Sequence, residues 1–196
     1  MNLEELRQRS QKSRDQSLRE KLQLVDDVVS RQRNLAQDEV TQRILAAQEQ
    51  LEQRTLRAAD LGEVEATLVR MSARLYDLRL LALEELNRSA DRLPDPYPKL
   101  RKQGPFTYGQ VDRWLSQELE LPAPEQTSPL PWLEELAVWL IERKRAGKLT
   151  RFLKRHPPLP PNLAELYERC LKEKLSPVFH FYELIDDRGI DLKVSW

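Results

Sequence analysis

The first 93 residues of this chain contain no proline, histidine or cysteine and only one glycine, Gly62. Proline and glycine interrupt helices more than other residues do, so this stretch can remain helical over most of its length. Apolar residues recur in it at alternating steps of three and four, the spacing that places them on one face of a helix. We therefore predict a long helical segment over residues 1-93, folded as a coiled coil or as a helical hairpin.

The apolar spacing changes phase at residues 60-62, where two successive steps of three replace the alternation. Gly62 can adopt the left-handed conformation that caps a helix, so we predict a bend at this point. Before the phase change, the apolar positions are Val40, Ile44, Ala47, Leu51, Ala58 and Leu61.

The apolar positions after the phase change are predicted to continue the helical seam. Two arrangements remain open: the helices fold back on each other with Gly62 at the corner, or one interrupted helix pairs with a second chain. In both arrangements the burial of apolar seam residues drives helix association. The residues that we assign to this association seam are Leu68, Met71, Leu75, Leu78 and Leu86.

The character of the chain changes at Pro94, because all 13 prolines lie at or beyond this position. Proline lacks an amide hydrogen and disfavours helical backbone in the residue before it, so the long helix must end near Leu93. We predict a proline-rich linker over residues 94-106 and a compact domain over residues 107-196.

The compact domain is predicted to contain short helices followed by a β-hairpin. Thr107 is a suitable N-cap for its first helix. A helix over residues 132-145 carries apolar side chains on most sides, so we expect it at the domain centre. Residues 178-196 combine β-branched and aromatic residues with alternating polarity around turn residues 186-189, which is typical of a hairpin. The fold class is therefore mainly α with a small α+β domain, in an order compatible with a winged-helix-like module.

No combination of residues indicates catalysis. Cys170 could in principle form a nucleophile pair with His156 or His180, but it lies on the apolar stripe of its helix and is expected to pack as a small buried hydrophobe. These three residues do not have the spacing of zinc ligands. None of the five glycines belongs to a phosphate-binding loop. We therefore predict a protein that is not an enzyme and that has no metal site and no cofactor.

The densest cluster of like charge lies in residues 143-155, which contain no acidic residue. It follows an acidic stretch over residues 112-142, so the two stretches can neutralise each other within the domain. Alternatively, the cluster contacts the phosphate backbone of nucleic acid, with an affinity that falls as the salt concentration rises. The basic residues of the cluster are Arg143, Lys144, Arg145, Lys148, Arg151, Lys154 and Arg155.

The remaining composition favours a cytoplasmic protein without a membrane span. The chain has 32 basic and 32 acidic residues, so no net charge directs it toward nucleic acid or anionic lipid. A single cysteine excludes an internal disulfide, and the N-terminus lacks the features of a signal peptide. No apolar run reaches the roughly 20 residues that a membrane span requires.

We therefore predict a non-enzymatic interaction or adaptor protein. It is expected to self-associate or to dock a protein partner through its N-terminal helices, as a homo-oligomer or as a subunit of a complex. The alternative is a nucleic-acid-associated accessory protein that uses residues 143-155.

Overall fold

The computed structural model describes residues 2–74, 76–88, 96–121, 130–146, 158–184 and 187–196. Over these residues the chain is mainly helical: a long N-terminal helix is followed by short helices and a small three-stranded antiparallel sheet, which confirms the predicted fold class. The chain divides into two compact units, each of which combines two separate stretches of sequence. Unit 1 comprises Met1–Gln32 and Tyr76–Thr127, and unit 2 comprises Arg33–Leu75 and Ser128–Trp196.

Two consecutive helices form the N-terminal part of the chain. Helix α1 spans Leu3–Glu49 and helix α2 spans Leu51–Asp60, with Gln50 between them. The first part of α1 belongs to unit 1 and the rest to unit 2. The helical spacing predicted for the second part is confirmed as far as Ala58, since these residues of it and of α2 are buried: Val40, Ile44, Ala47, Leu51 and Ala58. Leu61, the last position predicted for this face, is 71% exposed.

Gly62 ends α2 with a backbone φ of +77°. Its N–H donates to the carbonyl of Ala59 at 2.9 Å, and the N–H of Glu63 donates to the carbonyl of Ala58 at 3.0 Å. These two bonds satisfy carbonyls that have no partner within the helix, and they require the left-handed conformation that glycine tolerates. The helix therefore ends where the sequence predicts a bend.

The helical seam does not continue beyond Gly62. Glu65–Arg74 forms strand β1, so the helical prediction for Leu68 and Met71 is wrong. A β-bulge between Thr67 and Val69 adds one residue to the strand, and Leu68 and Val69 are both buried. In a regular strand, residues three apart lie on opposite faces, but the bulge allows both Leu68 and Met71 to be buried. The same three-residue spacing fits one face of a helix. Pairing with a strand distant in sequence decides the outcome, because β-structure depends on tertiary context more than on local preference.

Unit 1 packs three short helices with the first part of α1. They are α3 (Leu78–Asn87), α4 (Pro98–Arg101) and α5 (Tyr108–Arg113), and α5 continues as a π-helical turn over Trp114–Glu118. Their apolar side chains form one core with those of α1. The buried members of this core are Leu24, Val25, Val28, Leu78, Ala82, Leu86, Tyr97, Leu100, Val111, Trp114 and Leu115.

The N-cap predicted at Thr107 is confirmed. The Thr107 side chain accepts the N–H of Gln110, and the Gln110 side chain accepts the N–H of Thr107. This reciprocal arrangement satisfies two donors that the first turn of α5 leaves without helical partners.

Part of the stretch predicted as a linker, residues 94-106, belongs to the fold of unit 1. Tyr97 and Leu100 are fully buried. The buried carboxylate of Glu20 accepts the backbone N–H groups of Lys99 at 2.8 Å and of Leu100 at 2.9 Å. Pro98 occupies the first turn of α4, where its missing N–H removes no helical hydrogen bond. Proline begins a helix here, and the unit boundaries lie elsewhere in the sequence.

Unit 2 contains a three-stranded sheet and the helices that cover one of its faces. Helix α6 spans Pro131–Ala146 and α7 spans Pro161–Lys172; strands β2 (Ser176–Leu184) and β3 (Asp187–Ser195) form the predicted hairpin. The strand order is β1-β3-β2, and both pairs are antiparallel. The sheet residues in the core are Ala66, Leu68, Val69, Met71, Ile190, Leu192 and Val194.

Helix α6 packs against the sheet, but it is less enclosed than its sequence indicates. Leu133 and Leu136 are buried in the core of unit 2. Val138 and Ile141 are 53% and 40% exposed, so the expectation of burial on most sides is wrong for them. The side of α6 that faces the sheet is therefore the buried one.

Candidate interaction surface

The residues assigned to the association seam do not form one surface. Leu68 and Met71 lie in the core of unit 2, and Leu78 and Leu86 lie in the core of unit 1. All four are at most 7% exposed. Leu75 lies outside the described residues. The four described residues are occupied by contacts within the chain.

Of the two candidate nucleophile pairs, Cys170 with His180 is not brought together. Cys170 is fully buried among the helices on the inner face of the sheet, whereas His180 is opposite Asp191 on the outer face. Burial raises the pKa of the Cys170 thiol to about 11, which keeps it protonated near neutral pH. His156 lies outside the described residues. In the part of the chain that the structure describes, no group of three or more His, Cys, Asp or Glu is placed to hold a metal ion.

Only the beginning of the basic cluster is described. Arg143, Lys144 and Arg145 are exposed on the last turn of α6, and the Arg143 guanidinium lies 4.9 Å from the centre of the Trp139 ring. Positive charge at a helix C-terminus is favourable, so the position of these three residues has a structural reason of its own. The other four basic residues, Lys148, Arg151, Lys154 and Arg155, lie outside the described residues.

The outer face of the sheet carries a polar row across all three strands. Arg70, Asp191 and His180 are aligned in register from β1 through β3 to β2. Arg70 donates two hydrogen bonds to the Asp191 carboxylate, from Nε at 3.0 Å and from Nη2 at 2.9 Å. The Asp191 side chain is only 8% exposed, and the Arg70 guanidinium also lies 5.3 Å from the centre of the Tyr182 ring. At one end of this row, Arg70 is hydrogen-bonded to Asp191. At the other end, the His180 side chain is exposed.

The edge formed by β1 is occupied by side chains from the two N-terminal helices. Arg43 of α1 donates from Nη1 to the carbonyl of Arg70 at 3.1 Å. Arg54 of α2 donates to the carbonyl of Leu68. These carbonyls are therefore already bonded, and the two arginine side chains lie where a further strand would pair with β1.

The backbone direction in β2 follows from these contacts. The Arg70 carbonyl accepts a hydrogen bond from Arg43, so it points away from β3. Arg70 and its cross-strand partner Asp191 are therefore a non-hydrogen-bonded pair. It follows that Asp191 directs its backbone N–H and C=O toward β2. Its partner in β2 is His180. The residues on either side of His180, Phe179 and Phe181, therefore turn their N–H and C=O groups out from the sheet. Among the described residues, no other strand pairs with this edge of β2.

Strand β2 has the composition of a strand that pairs easily. From Ser176 to Tyr182 its sequence is SPVFHFY, which contains no Asp, Glu, Lys or Arg. Val178 is 48% exposed on the outer face, and Phe181 is 42% exposed on the inner face. Natural edge strands are usually protected by charged residues, bulges or proline. Pro177 is the one such residue in this stretch, and it lies at the start of the strand.

The edge of β2 was not identified by sequence reasoning, although its signal is present in the sequence. The run SPVFHFY reads as a strand, but the sequence does not reveal whether a strand lies at an edge or at the centre of a sheet. That distinction required the position of β1, which pairs with β3 and leaves β2 at the edge.

Comparisons with known proteins were made at three levels. No family model, no curated protein sequence and no solved structure matches this chain. None of the described helices has an apolar stretch of the length that a bilayer crossing requires.

Proposed function

We propose that this chain is a non-enzymatic interaction protein, and that the outer edge of β2 is where it binds. The observation that carries this proposal is the contrast between the two sheet edges. Arg43 and Arg54 bond to the carbonyls of the β1 edge, whereas the outward backbone groups of Phe179 and Phe181 have no such partner among the described residues. Extended chains bind exposed sheet edges through main-chain hydrogen bonds, with side-chain contacts providing specificity.

The buried thiol of Cys170 supports a binding function over a catalytic one. Its pKa of about 11 and its position behind the sheet disfavour nucleophilic chemistry with His180. The residues predicted for the association seam favour a binding surface other than that seam. Leu68, Met71, Leu78 and Leu86 already pack in the cores of the two units. We therefore favour the edge of β2 over the N-terminal helices as the binding surface.

Site-specific photo-crosslinking tests this proposal in the full chain. A benzoylphenylalanine in place of Phe181 lies at the proposed edge, and the same residue in place of Leu45 is a matched control. Leu45 is 39% exposed on α1, close to the 42% of Phe181. We expect covalent adducts at position 181 and none at position 45 after irradiation in the cells that express the protein.

A second variant makes this test specific for strand pairing. Val178→Lys adds a lysine to the exposed edge strand, which opposes pairing while leaving the buried core unchanged. We expect this substitution to abolish the adducts at position 181. Equal adduct yields at positions 181 and 45, or adducts at 181 that persist with Val178→Lys, would overturn the proposal.

A second candidate function is contact with nucleic acid through the basic cluster. The observation that favours it is the exposure of three consecutive basic residues, Arg143, Lys144 and Arg145, on the last turn of α6. Neutralisation of phosphates by such residues gives binding that weakens steeply with salt.

Titration of labelled duplex DNA and structured RNA at low and high salt tests this second function. Replacement of Arg143, Lys144 and Arg145 by alanine is expected to reduce binding and its salt dependence. The matched control replaces Arg7, Arg9 and Lys12, which are exposed on α1. Equal losses in the two triple variants would assign the binding to non-specific positive charge, and no binding at low salt would reject this function.

A further inference from the structure

We propose that the strand that pairs with the edge of β2 is β2 of a second copy of this chain. The two sheets then join into one antiparallel sheet of six strands around a two-fold axis that passes beside His180. This inference rests on the proposed binding at the β2 edge and adds the identity and the register of its partner.

The direction and the register of this pairing follow from symmetry. Two identical strands related by a two-fold axis perpendicular to the sheet are antiparallel, and each residue i then faces residue j of the partner in both directions. Strand β2 spans Ser176–Leu184, so His180 is its central residue. Pairing centred on His180 is the register that overlaps both strands over their full length.

The outward backbone groups of β2 fit this register. Phe179 faces the partner's Phe181, and Phe181 faces the partner's Phe179. Because both residues turn their N–H and C=O outward, each of these pairs can exchange two main-chain hydrogen bonds. Pro177 has no N–H, but it faces the partner's Glu183 at the end of the ladder and can still accept a hydrogen bond there.

The side chains of β2 also match themselves in this register. On the inner face the register sets phenylalanine opposite phenylalanine, and aromatic pairs are among the favourable cross-strand combinations. On the outer face it sets Val178 opposite the partner's Tyr182, whose ring lies over Gly189 of its own sheet. No Asp, Glu, Lys or Arg lies between Ser176 and Tyr182, so the central pairs oppose no such charges.

A second copy fits this strand better than a charged peptide does. The uncharged run Ser176–Tyr182 offers a charged peptide no salt bridge. A second copy of the strand brings the same uncharged residues, running antiparallel. Val178 and Phe181 are 48% and 42% exposed in the single chain, and the facing strand covers part of each side chain. The resulting interface is isologous and closes after two copies, so it predicts a dimer and no longer polymer.

Disulfide trapping in the full chain tests the register. His180 is a non-hydrogen-bonded residue on this edge, so the two copies of residue 180 should lie about 4.5 Å apart between Cα atoms. That separation permits a disulfide. We expect His180→Cys to form a covalent dimer under mild oxidation. The unmodified protein is the background control, since its Cys170 is fully buried.

Val178→Cys is the matched control for this register. Residue 178 faces residue 182 of the partner, so the two copies of residue 178 lie four residues apart along the strand, roughly 13 Å. This exceeds the Cα separation that a disulfide can bridge. We expect no covalent dimer from Val178→Cys. A covalent dimer from this variant and none from His180→Cys would overturn the proposed register.

Light scattering after size exclusion tests the dimer without any cysteine. Phe181→Lys adds a charge to the aromatic pair, whereas Leu45→Lys adds one at a similarly exposed site on α1. We expect a dimer for the unmodified protein and for Leu45→Lys, and a monomer for Phe181→Lys, with the same circular dichroism for all three. A dimer that persists in Phe181→Lys would overturn the inference.

The failure of this inference is distinct from the failure of the proposed function. The protein could be monomeric at every concentration and still give adducts at position 181 with a different protein. That result would overturn the second copy as the partner, and the proposal that the β2 edge binds a partner would stand. A monomeric protein with no adduct at position 181 would overturn both.

Discussion

Gly189 of β3 lies beneath the phenol of Tyr182, its cross-strand neighbour in β2. A Cβ atom at Gly189 would lie 2.5 Å from the Tyr182 hydroxyl oxygen and 2.3 Å from the carbonyl oxygen of Met71. Both distances are far below van der Waals contact. The sequence places this glycine in a turn, but it lies within β3, where the aromatic ring covers the site that a side chain would fill.

Gly189→Ala should therefore destabilise unit 2. The added methyl group meets the backbone of β1 on one side and Tyr182 on the other, and such overpacking costs about 1–3 kcal/mol of folding free energy. Thermal and urea unfolding followed by circular dichroism measure the change. Gly109→Ala is the control, since no atom lies within 4 Å of a Cβ at this position of α5. Equal unfolding midpoints for the two variants would contradict the prediction.

Arg70→Met should leave the Asp191 carboxylate nearly buried without its two hydrogen bonds. Removing one partner from such a pair costs about 1–3 kcal/mol. Asp191→Asn in the same chain removes the charge that Arg70 neutralises, so the double variant should recover part of the loss. The double-mutant cycle from urea unfolding gives the coupling energy directly. Strictly additive effects of the two substitutions would exclude this coupling.

Glu85→Gln should make unit 1 less sensitive to acid. A hydrogen bond from Arg31 lowers the pKa of the Glu85 carboxyl, against the opposing effect of burial. A carboxylate with a lowered folded-state pKa stabilises the protein above its unfolded-state pKa of ~4.3, and this stability is lost as the pH falls through the folded-state value. Urea unfolding between pH 6 and pH 3 should show a steeper loss in the unmodified protein than in Glu85→Gln. Parallel pH profiles would argue against a role for this pair.

Cys170 should resist alkylation in the folded protein. Burial raises its pKa to about 11, and the side chain is fully enclosed. The neutral thiol favours the folded state below the unfolded-state pKa of ~8.5, and that contribution is lost as the pH rises through about 11. Iodoacetamide labelling at pH 8, read by mass spectrometry, should be slow in buffer and fast in urea. Rapid labelling in buffer would show that the helix carrying Cys170 opens readily.

Short sequence patterns correctly predicted a buried helix face, a helix N-cap and a hairpin. The stripe from Val40 to Ala58 gave the correct buried face of α1 and α2, and Thr107 gave the correct N-cap. The alternation from Ile190 to Val194 gave the hairpin. In each case the signal lies within a short stretch of sequence, although the buried stripe itself packs against elements distant in the chain.

Contacts distant in sequence decided the elements that were missed. Strand β1 contains Glu, Ala, Met and Arg, which favour helices, and its bulge interrupts the two-residue alternation that marks a strand. The pairs Ala66–Leu68 and Val69–Met71 each alternate, but they are out of phase by one residue. Two short alternating runs offset in this way are a sequence signal of a bulged strand, and they were the one indication available before β3 was placed.

The edge of β2 was beyond sequence reasoning for the same cause. Whether β2 is an edge depends on whether β1 pairs with the free edge of β3 or with that of β2, and in the structure it pairs with β3. In the sequence, Arg43 and Arg54 have no feature that distinguishes them from other polar residues of a helix. Their function as caps of the β1 edge became visible only from their hydrogen bonds.

The pairing of β1 with β3 has a consequence for the synthesis of this chain on the ribosome. Arg70 leaves the ribosome 121 residues before Asp191, its partner across the two strands. At ~5–20 residues per second, β1 waits on the order of ten seconds for the strand that completes its sheet. During this interval the apolar side chains of Leu68, Val69 and Met71 have no sheet to join.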